Sequence, residues 1–290
     1  MAFLTHPALR CPLDAMPLVL EDGSLICSNG HRYDIGKQGY ANLLSVQHKR
    51  SLNPGDSKDM VSARQSFLSA GFYEPIAKSV MHSVSQAAKL PAAQSPAAQS
   101  PAAKSPVTVL DAGCGEGYYL HYLSEHHRGP LNIIGFDISK WAVQRAARRC
   151  HGTWMVASNK NIPLVDSSVD VVLEMFGFPD YASFERILAP GGRLIRVTPA
   201  PQHLIELRRL IYPQVHQMAN ADRYPSSLHT LSSEQLAFNV ELEHQSLKDL
   251  LLMTPHMFKT SMQGQSNLER IDHLTVTVDV VIDTLVCTES

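Results

Sequence analysis

The sequence lacks any apolar run approaching the ~18 residues of a membrane span, and no basic stretch followed by an apolar core opens it. These absences argue against a helical membrane protein and a secretory leader, and predict a cytoplasmic protein with no membrane partner. Five cysteines, an odd number without regular spacing, argue against a disulfide framework and leave reduced thiols used singly or as metal ligands. The formal net charge is only -2, so any nucleic-acid affinity has to come from local basic patches. What the chain does have is apolar mass. With 44% hydrophobic residues among 290, it can hold one full α/β domain plus a small module.

It also has a glycine-spaced turn. Val107-Thr-Val-Leu-Asp-Ala-Gly-Cys-Gly-Glu-Gly117 reads as a buried strand passing through three alternating glycines into a helix. Gly113, Gly115 and Gly117 have no Cβ, so the backbone there can take left-handed turn angles and approach a ligand closely. A second apolar strand, Leu131 to Phe136, ends in Asp137, about 20 residues past the loop, where a carboxylate can accept from both ribose hydroxyls. A dinucleotide fingerprint needs another glycine where Tyr118 stands. Asp111 and Glu116 also put negative charge where a phosphate-binding helix terminus would not favour it. A cationic nucleoside fits better. S-adenosylmethionine carries a sulfonium and an ammonium and no phosphate, and the D-x-G-C-G-x-G pattern resembles motif I of the class I methyltransferases. The alternative is a glycine-rich turn with an unrelated acid downstream.

Four segments are expected. Residues 1–45 are rich in turn formers and read as a small module held by something other than its own core. Residues 46–90 read as a helical connector. Asp56 or Ser57 caps its first helix, Met60, Ala63, Phe67 and Leu68 form the apolar stripe, Gly71 ends it, and a second helix starts near Tyr73. Residues 91–106 repeat Pro-Ala-Ala-Gln-Ser, a low-complexity spacer whose prolines block a continuous helix. Residues 107–290 alternate strands (107–110, 131–136, 153–156, 169–175, 193–197) with helices, which predicts an α/β, Rossmann-like parallel sheet covered on both faces. Ala189-Pro-Gly-Gly192 reads as a turn into the fifth strand. A reversed pair near 238–242 and 273–286, separated by a helix over 247–253, completes a seven-stranded, mostly parallel sheet.

In the first segment, Cys11-Pro-Leu-Asp14 is followed by Cys27-Ser-Asn-Gly-His31 at the spacing of a zinc ribbon. Asp14 is the unusual member, because a carboxylate makes a harder and more exchangeable ligand than thiolate or imidazole. Two readings stand: a zinc site with Asp14 in its ligand set, or a degenerate module in which Cys11 and Cys27 are small buried apolar residues.

Further segments carry a more specific likeness: His31-Arg-Tyr-Asp34, Gly39-Tyr-Ala-Asn-Leu-Leu44, Gln47-His-Lys-Arg50, Pro54-Gly-Asp56, Phe67-Leu-x-Ala-Gly71, Cys114-Gly-Glu-Gly-Tyr-Tyr119 and His203-Leu-Ile-Glu-Leu207. Through them, nearly the whole chain resembles the RlmA family of bacterial 23S rRNA guanine-N1 methyltransferases. The resemblance implies an N-terminal zinc module for RNA recognition joined to a methyltransferase domain. It also implies methylation of guanine N1 in a 23S rRNA hairpin loop (family target position 745) and a homodimer forming an RNA cleft. By the same resemblance Cys11, Cys27 and His31 are metal ligands, with Asp14 standing where the family has cysteine, and Tyr73, Gly115, Glu116 and His203 contact the cofactor. The chain departs from the family again at Glu174-Met-Phe-Gly-Phe-Pro179, where an Arg-Ile-Tyr-Ala-Pro sequence is usual. That exchange places a carboxylate where an arginine is expected beside the incoming base.

Within this frame Asp137 is assigned to the ribose hydroxyls, and the loop with Asp111, Gly113, Gly115, Glu116 and Gly117 to the methionine portion and adenosine. Ser158 and Asn159 are assigned to the adenine side. Guanine N1 must lose a proton, and Glu174, Asp180 and His203 are the candidate bases. Phe176 and Phe178 are candidates for an aromatic platform under the acceptor base. His48, Lys49 and Arg50 are favoured for RNA phosphates, ahead of Arg145, Arg148, Arg149, Arg208 and Arg209. Two competing functions remain at this point: a small-molecule methyltransferase, and a cofactor-binding RNA-associated protein without the original activity.

Overall fold

From Val107 onward, short β-branched runs become strands and the longer stretches between them become helices. The computed structural model describes residues 3–44, 54–88, 105–215 and 224–288. Seven strands lie from Val107 onward: β5 (Val107–Ala112), β6 (Leu131–Asp137), β7 (Thr153–Val156), β8 (Val169–Met175), β9 (Leu188–Pro199), β10 (Leu228–Glu243) and β11 (His273–Cys287). Their order is β7-β6-β5-β8-β9-β11-β10, parallel except that β11 runs against both β9 and β10. This is the class I methyltransferase arrangement. The chain winds outward from β5 to β7 and then resumes on the other side with β8, so a crevice opens beyond the carboxyl ends of β5 and β8.

The helices are α1 (Lys58–Ser69), α2 (Glu74–Ala87), α3 (Tyr118–His126), α4 (Lys140–Arg149), α5 (Tyr181–Ile187), α6 (Ile205–Ile211), α7 (His244–Leu252) and α8 (Met262–Glu269). A 3₁₀ turn, Pro255–Lys259, follows α7. Of the two caps proposed for α1, Ser57 is the one used, its hydroxyl accepting from the Met60 amide at 3.2 Å. Alternate residues of a strand enter different clusters. Val109 and Val171 join one, Leu110 and Val172 the other, so the two apolar layers lie on opposite faces of the sheet. Phe67, Leu68, Tyr73, Ile76, Val80 and Val84 belong to the first layer, which makes α1 and α2 part of the sheet's cover.

The sheet is wider than the seven strands expected. Four strands from the N-terminal segment, β1 (Val19–Glu21), β2 (Ser24–Ile26), β3 (Arg32–Gly36) and β4 (Tyr40–Asn42), form a meander, and β4 joins the free edge of β7 in parallel. Ala41 sits opposite Met155, and the Leu43 amide donates to the Val156 carbonyl at 3.0 Å. The sheet therefore runs continuously through eleven strands. Backbone bonds make this junction, and a three-residue strand has too little side-chain pattern to announce it. β10 is also longer than the 238–242 stretch expected, because its first half pairs with β11 while remaining exposed. Ala189 to Gly192, expected as a turn, lie inside β9, where they bulge out of register with β8. The 91–106 spacer lies almost wholly outside the described residues. No described helix is long and apolar enough to cross a membrane.

Candidate functional site

The crevice at the switch point is a cavity of about 1270 Å³. Its floor is the glycine turn. Gly113 has φ +87° and nothing within 4 Å of where a Cβ would stand, so its requirement is the left-handed backbone and its open side faces the cavity. Gly117 differs from the sequence-based expectation. It does not line the cavity, and a Cβ there would stand 3.0 Å from the Ala146 Cβ and 3.2 Å from the Trp154 ring. Its role is close packing of α3 against α4 and β7.

Three carboxylates surround this turn, each in a different state. Asp111 is fully buried and lines the cavity, and neither of its oxygens has a hydrogen-bond partner. Burial first, then the neighbouring charges of Asp137, Glu116 and Glu174, pushes its pKa well up. Asp137 is held in place: Oδ2 accepts from the Gly115 amide at 3.0 Å and Oδ1 from the Ser139 amide at 2.7 Å. Glu116, 1% exposed, is paired with Arg149 at 2.6 Å, and that guanidinium also lies over the Tyr118 ring. Burial nevertheless raises the Glu116 pKa, with Arg149 opposing. Arg64 reaches the same region from α1, ion-paired with Asp56 and donating to the Met253 carbonyl at 3.1 Å.

On the far side of the turn, Ser158 and Asn159 follow β7 and line the cavity, with Asn159 Nδ2 donating to the Phe178 carbonyl at 2.8 Å. Tyr73, Phe176 and His203 form a ring cluster, their centroids 5.8 to 6.4 Å apart. Phe176 has φ +56°, a strained angle that orients it into this cluster. His203 Nδ1 accepts from the Asp279 amide at 3.2 Å, so the neutral ring carries its proton on Nε2. Its pKa is lowered to about 4, chiefly by burial.

These facts revise the candidate bases. Glu174 does not line the cavity. It is fully buried within β8 and its Oε2 accepts from Arg196 Nε on β9 at 2.7 Å, so it cannot receive a proton from a bound base. The neutral His203 offers a donor where a base needs a lone pair. Asp180 does line the cavity, accepting from the Ser183 hydroxyl at 3.2 Å. Sequence reasoning missed another pair at this cavity: the Tyr212 hydroxyl lies 2.7 Å from His256 Nδ1, and both residues line the cavity. His256 follows Thr254-Pro255, a plain turn signal, and nothing local marks it as chemical.

The N-terminal cluster is compact. Single ligand atoms from Cys11, Asp14, Cys27 and His31 all lie within 4.8 Å of one another. Both thiols face His31 Nδ1, Cys11 at 3.5 Å and Cys27 at 3.4 Å, and Asp14 Oδ2 is 3.0 Å from the same nitrogen. Tetrahedral zinc spaces its ligand atoms by roughly 3.3 to 3.8 Å, the range of the sulfur contacts, so the donor set suits that ion with a small adjustment of Asp14 against His31. Outside them, the Tyr33 hydroxyl lies 3.1 Å from Cys11 Sγ and Asn29 Nδ2 donates to Asp14 Oδ2 at 2.9 Å. The sulfurs therefore face polar ligand atoms, which the apolar-filler reading of Cys11 and Cys27 does not explain.

Of the cations proposed for RNA, His48, Lys49 and Arg50 lie outside the described residues. Arg145 and Arg149 are engaged inside the molecule: Arg145 donates to Gln65 and Ser62, and Arg149 to Ser69 as well as Glu116. They clamp α4 to α1 and to the glycine turn.

Comparison with known proteins agrees with this geometry. Residues 9–52 match a zinc-ribbon family model described as RlmA, N-terminal, and residues 109–192 match a methyltransferase domain model. A Streptomyces fradiae protein named 23S rRNA (guanine(748)-N(1))-methyltransferase is 32% identical over 253 residues, covering 85% of this chain and 84% of its own. A Bacillus subtilis protein provisionally named 23S rRNA (guanine-N(1)-)-methyltransferase is 30% identical, covering 94% and 95%. A Micromonospora griseorubida protein with the same provisional name is 35% identical, covering 69% and 68%.

Proposed function

The chain belongs to the RlmA family of 23S rRNA guanine-N1 methyltransferases, and on that footing we propose how its cavity, metal cluster and rim share the reaction. The enzyme methylates guanine N1 of 23S rRNA with S-adenosylmethionine as donor. When bound, the donor supplies a methyl group activated by a sulfonium, transferred by displacement from the side opposite sulfur.

The observation that carries the donor assignment is Asp111. A buried carboxylate with both oxygens unpartnered, beside a backbone open at Gly113, suits a ligand bearing an ammonium. Asp111 takes the charge of the methionine portion and Gly113 and Gly115 lie under it. Asp137, already oriented by two amides, accepts from the ribose hydroxyls, and Ser158 and Asn159 face the adenine. Tyr73 and His203 close the methyl end, His203 as a hydrogen-bond donor. Glu116 fixes the turn through Arg149.

The acceptor guanine enters from the rim. Phe178 and Phe258 are 87% and 72% exposed and line the same cavity, alongside Lys160 and Lys259. Exposed aromatic faces flanked by cations suit a base extruded from a hairpin loop, whose unstacking costs a few kcal/mol. Residues 1–45, with zinc held by Cys11, Asp14, Cys27 and His31, form the RNA-recognition module, and His48, Lys49 and Arg50 meet phosphates beside it. A homodimer, which light scattering would reveal, shapes the RNA cleft.

The test is incubation of the protein and labelled donor with 23S rRNA from a strain lacking the gene, followed by mapping of the modified guanine at 745 or 748. Labelled RNA supports the reading. Label found only in small molecules, or no label at all, overturns it. Charge reversal at Lys49 and Arg50 should weaken RNA binding while leaving donor binding intact.

A further inference from the structure

Removal of the guanine N1 proton needs an acceptor, and few groups at this cavity are free to serve. Asp56 and Glu116 are ion-paired, Asp137 is oriented by two amides, Asp111 faces the donor's charge, and His203 carries its proton on the available nitrogen. Among the described cavity-lining carboxylates and histidines, that leaves His256 and Asp180. His256 has the more suitable surroundings. It sits in the 3₁₀ turn next to the exposed Phe258, on the same wall as Tyr212, in edge-to-face contact with that ring at 5.6 Å.

We propose that His256 is the catalytic base for guanine N1 and that Tyr212 is its positioning residue. This rests on the reaction assigned above. With Nδ1–H donating to the Tyr212 hydroxyl oxygen, Nε2 keeps a lone pair for the substrate. The N1 proton passes to Nε2, and the N1 electron pair forms the bond to the methyl carbon. The carbon–sulfur bond breaks with its electrons kept by sulfur, and the imidazolium then gives its proton to water.

The charges around the ring favour the neutral, receptive state. Burial lowers the His256 pKa first, followed by the cations of Arg208 on α6 and Lys259 on its own turn, while Tyr212 and His203 are the other titratable neighbours. At neutral pH the ring is therefore an unprotonated acceptor. Asp180, in contrast, already accepts from Ser183.

The experiment is single-turnover methylation of a 23S hairpin transcript across a pH series by the wild type and by His256→Gln, with donor affinity measured by calorimetry. The wild-type rate should be flat through neutral pH. His256→Gln should bind donor normally and lose roughly 100-fold at neutral pH. Its rate should then climb about tenfold per pH unit towards the alkaline ionisation of N1 itself, so that the deficit shrinks. A His256→Gln rate within about threefold of wild type, a loss equal at every pH, or the same pH signature moving to Asp180→Asn would overturn the assignment. If His256→Gln also loses donor binding, the wild-type profile serves alone: flat supports the base, and a steady rise through neutral pH overturns it. Wild-type protein that never labels the transcript would instead be a failure of the proposed function.

Discussion

Asp111 and Asp137 line one cavity from the ends of neighbouring strands, yet only Asp137 has hydrogen-bond partners. Asp111 is held in a high-energy state that a cation relieves. Its folded pKa is raised, so its protonated form favours the fold. That contribution is present below the usual carboxylate pKa of ~4 and is lost as pH rises through the folded value. Stability without donor should therefore fall with rising pH in this window, while donor affinity rises and a proton is released on binding. Asp111→Asn should unfold a few degrees higher without donor and bind it at least tenfold more weakly. Calorimetry in two buffers of different ionisation heat checks the released proton, and a pH-independent affinity would rule the mechanism out.

Asp137→Ala removes the acceptor proposed for the ribose hydroxyls and the partner of two amides. Charge-assisted bonds are worth ~1.5 to 3 kcal/mol, so donor affinity should drop about 10- to 100-fold. Equilibrium titration with the demethylated donor gives the same measurement without turnover.

Glu174 should behave as a structural residue. Glu174→Ala strands the buried Arg196, which lies beside the paired Tyr181 and Tyr224 rings, and should cost about 3–5 kcal/mol in denaturant unfolding. Replacing both partners with methionine should recover much of that loss. If the single variant kept full stability and lost only turnover, Glu174 would have to be returned to the catalytic candidates.

Purified protein should carry about one zinc per chain, and Asp14→Cys should release it to a chelator at least tenfold more slowly, because thiolate is the softer and tighter ligand. Chelation should also lower the unfolding temperature of the whole protein, since Cys11 and Cys27 share a core layer with Leu110 and Val172. Two separate melting transitions would contradict that shared core.

Phe178→Ala and Phe258→Ala should each weaken RNA binding by roughly 10- to 100-fold, the range of a lost base stack, with donor affinity unchanged. Filter binding with the hairpin transcript measures it. Retained RNA affinity in both would remove the rim from the acceptor path.

Much of the fold was legible because the parallel strands are buried on both faces, which leaves apolar runs such as Val171 to Leu173. The first half of β10 was not, since its side chains are exposed and follow the pairing of β11. The glycine turn and Asp137 were readable as local patterns at fixed spacing. Tyr212 and His256 meet across 44 residues of sequence, and Glu174 is neutralised by a residue 22 positions away on the next strand. Contacts of that kind exist only once the chain has folded. The glycine pattern does not reveal that Gly117 makes room for Ala146 and Trp154 rather than for a ligand.

The pairing of β4 with β7 has a mechanical outcome. A flexible tether would let an RNA stem sway relative to the methyl donor. Here the lobe that holds Cys11, Asp14, Cys27 and His31 is stitched through backbone amides onto the same pleated surface that carries Ser158 and Asn159. The reach from one to the other is set by strand spacing, and with that lobe as the proposed RNA grip the molecule acts as a fixed gauge, offering the donor the nucleotide that lies that far away.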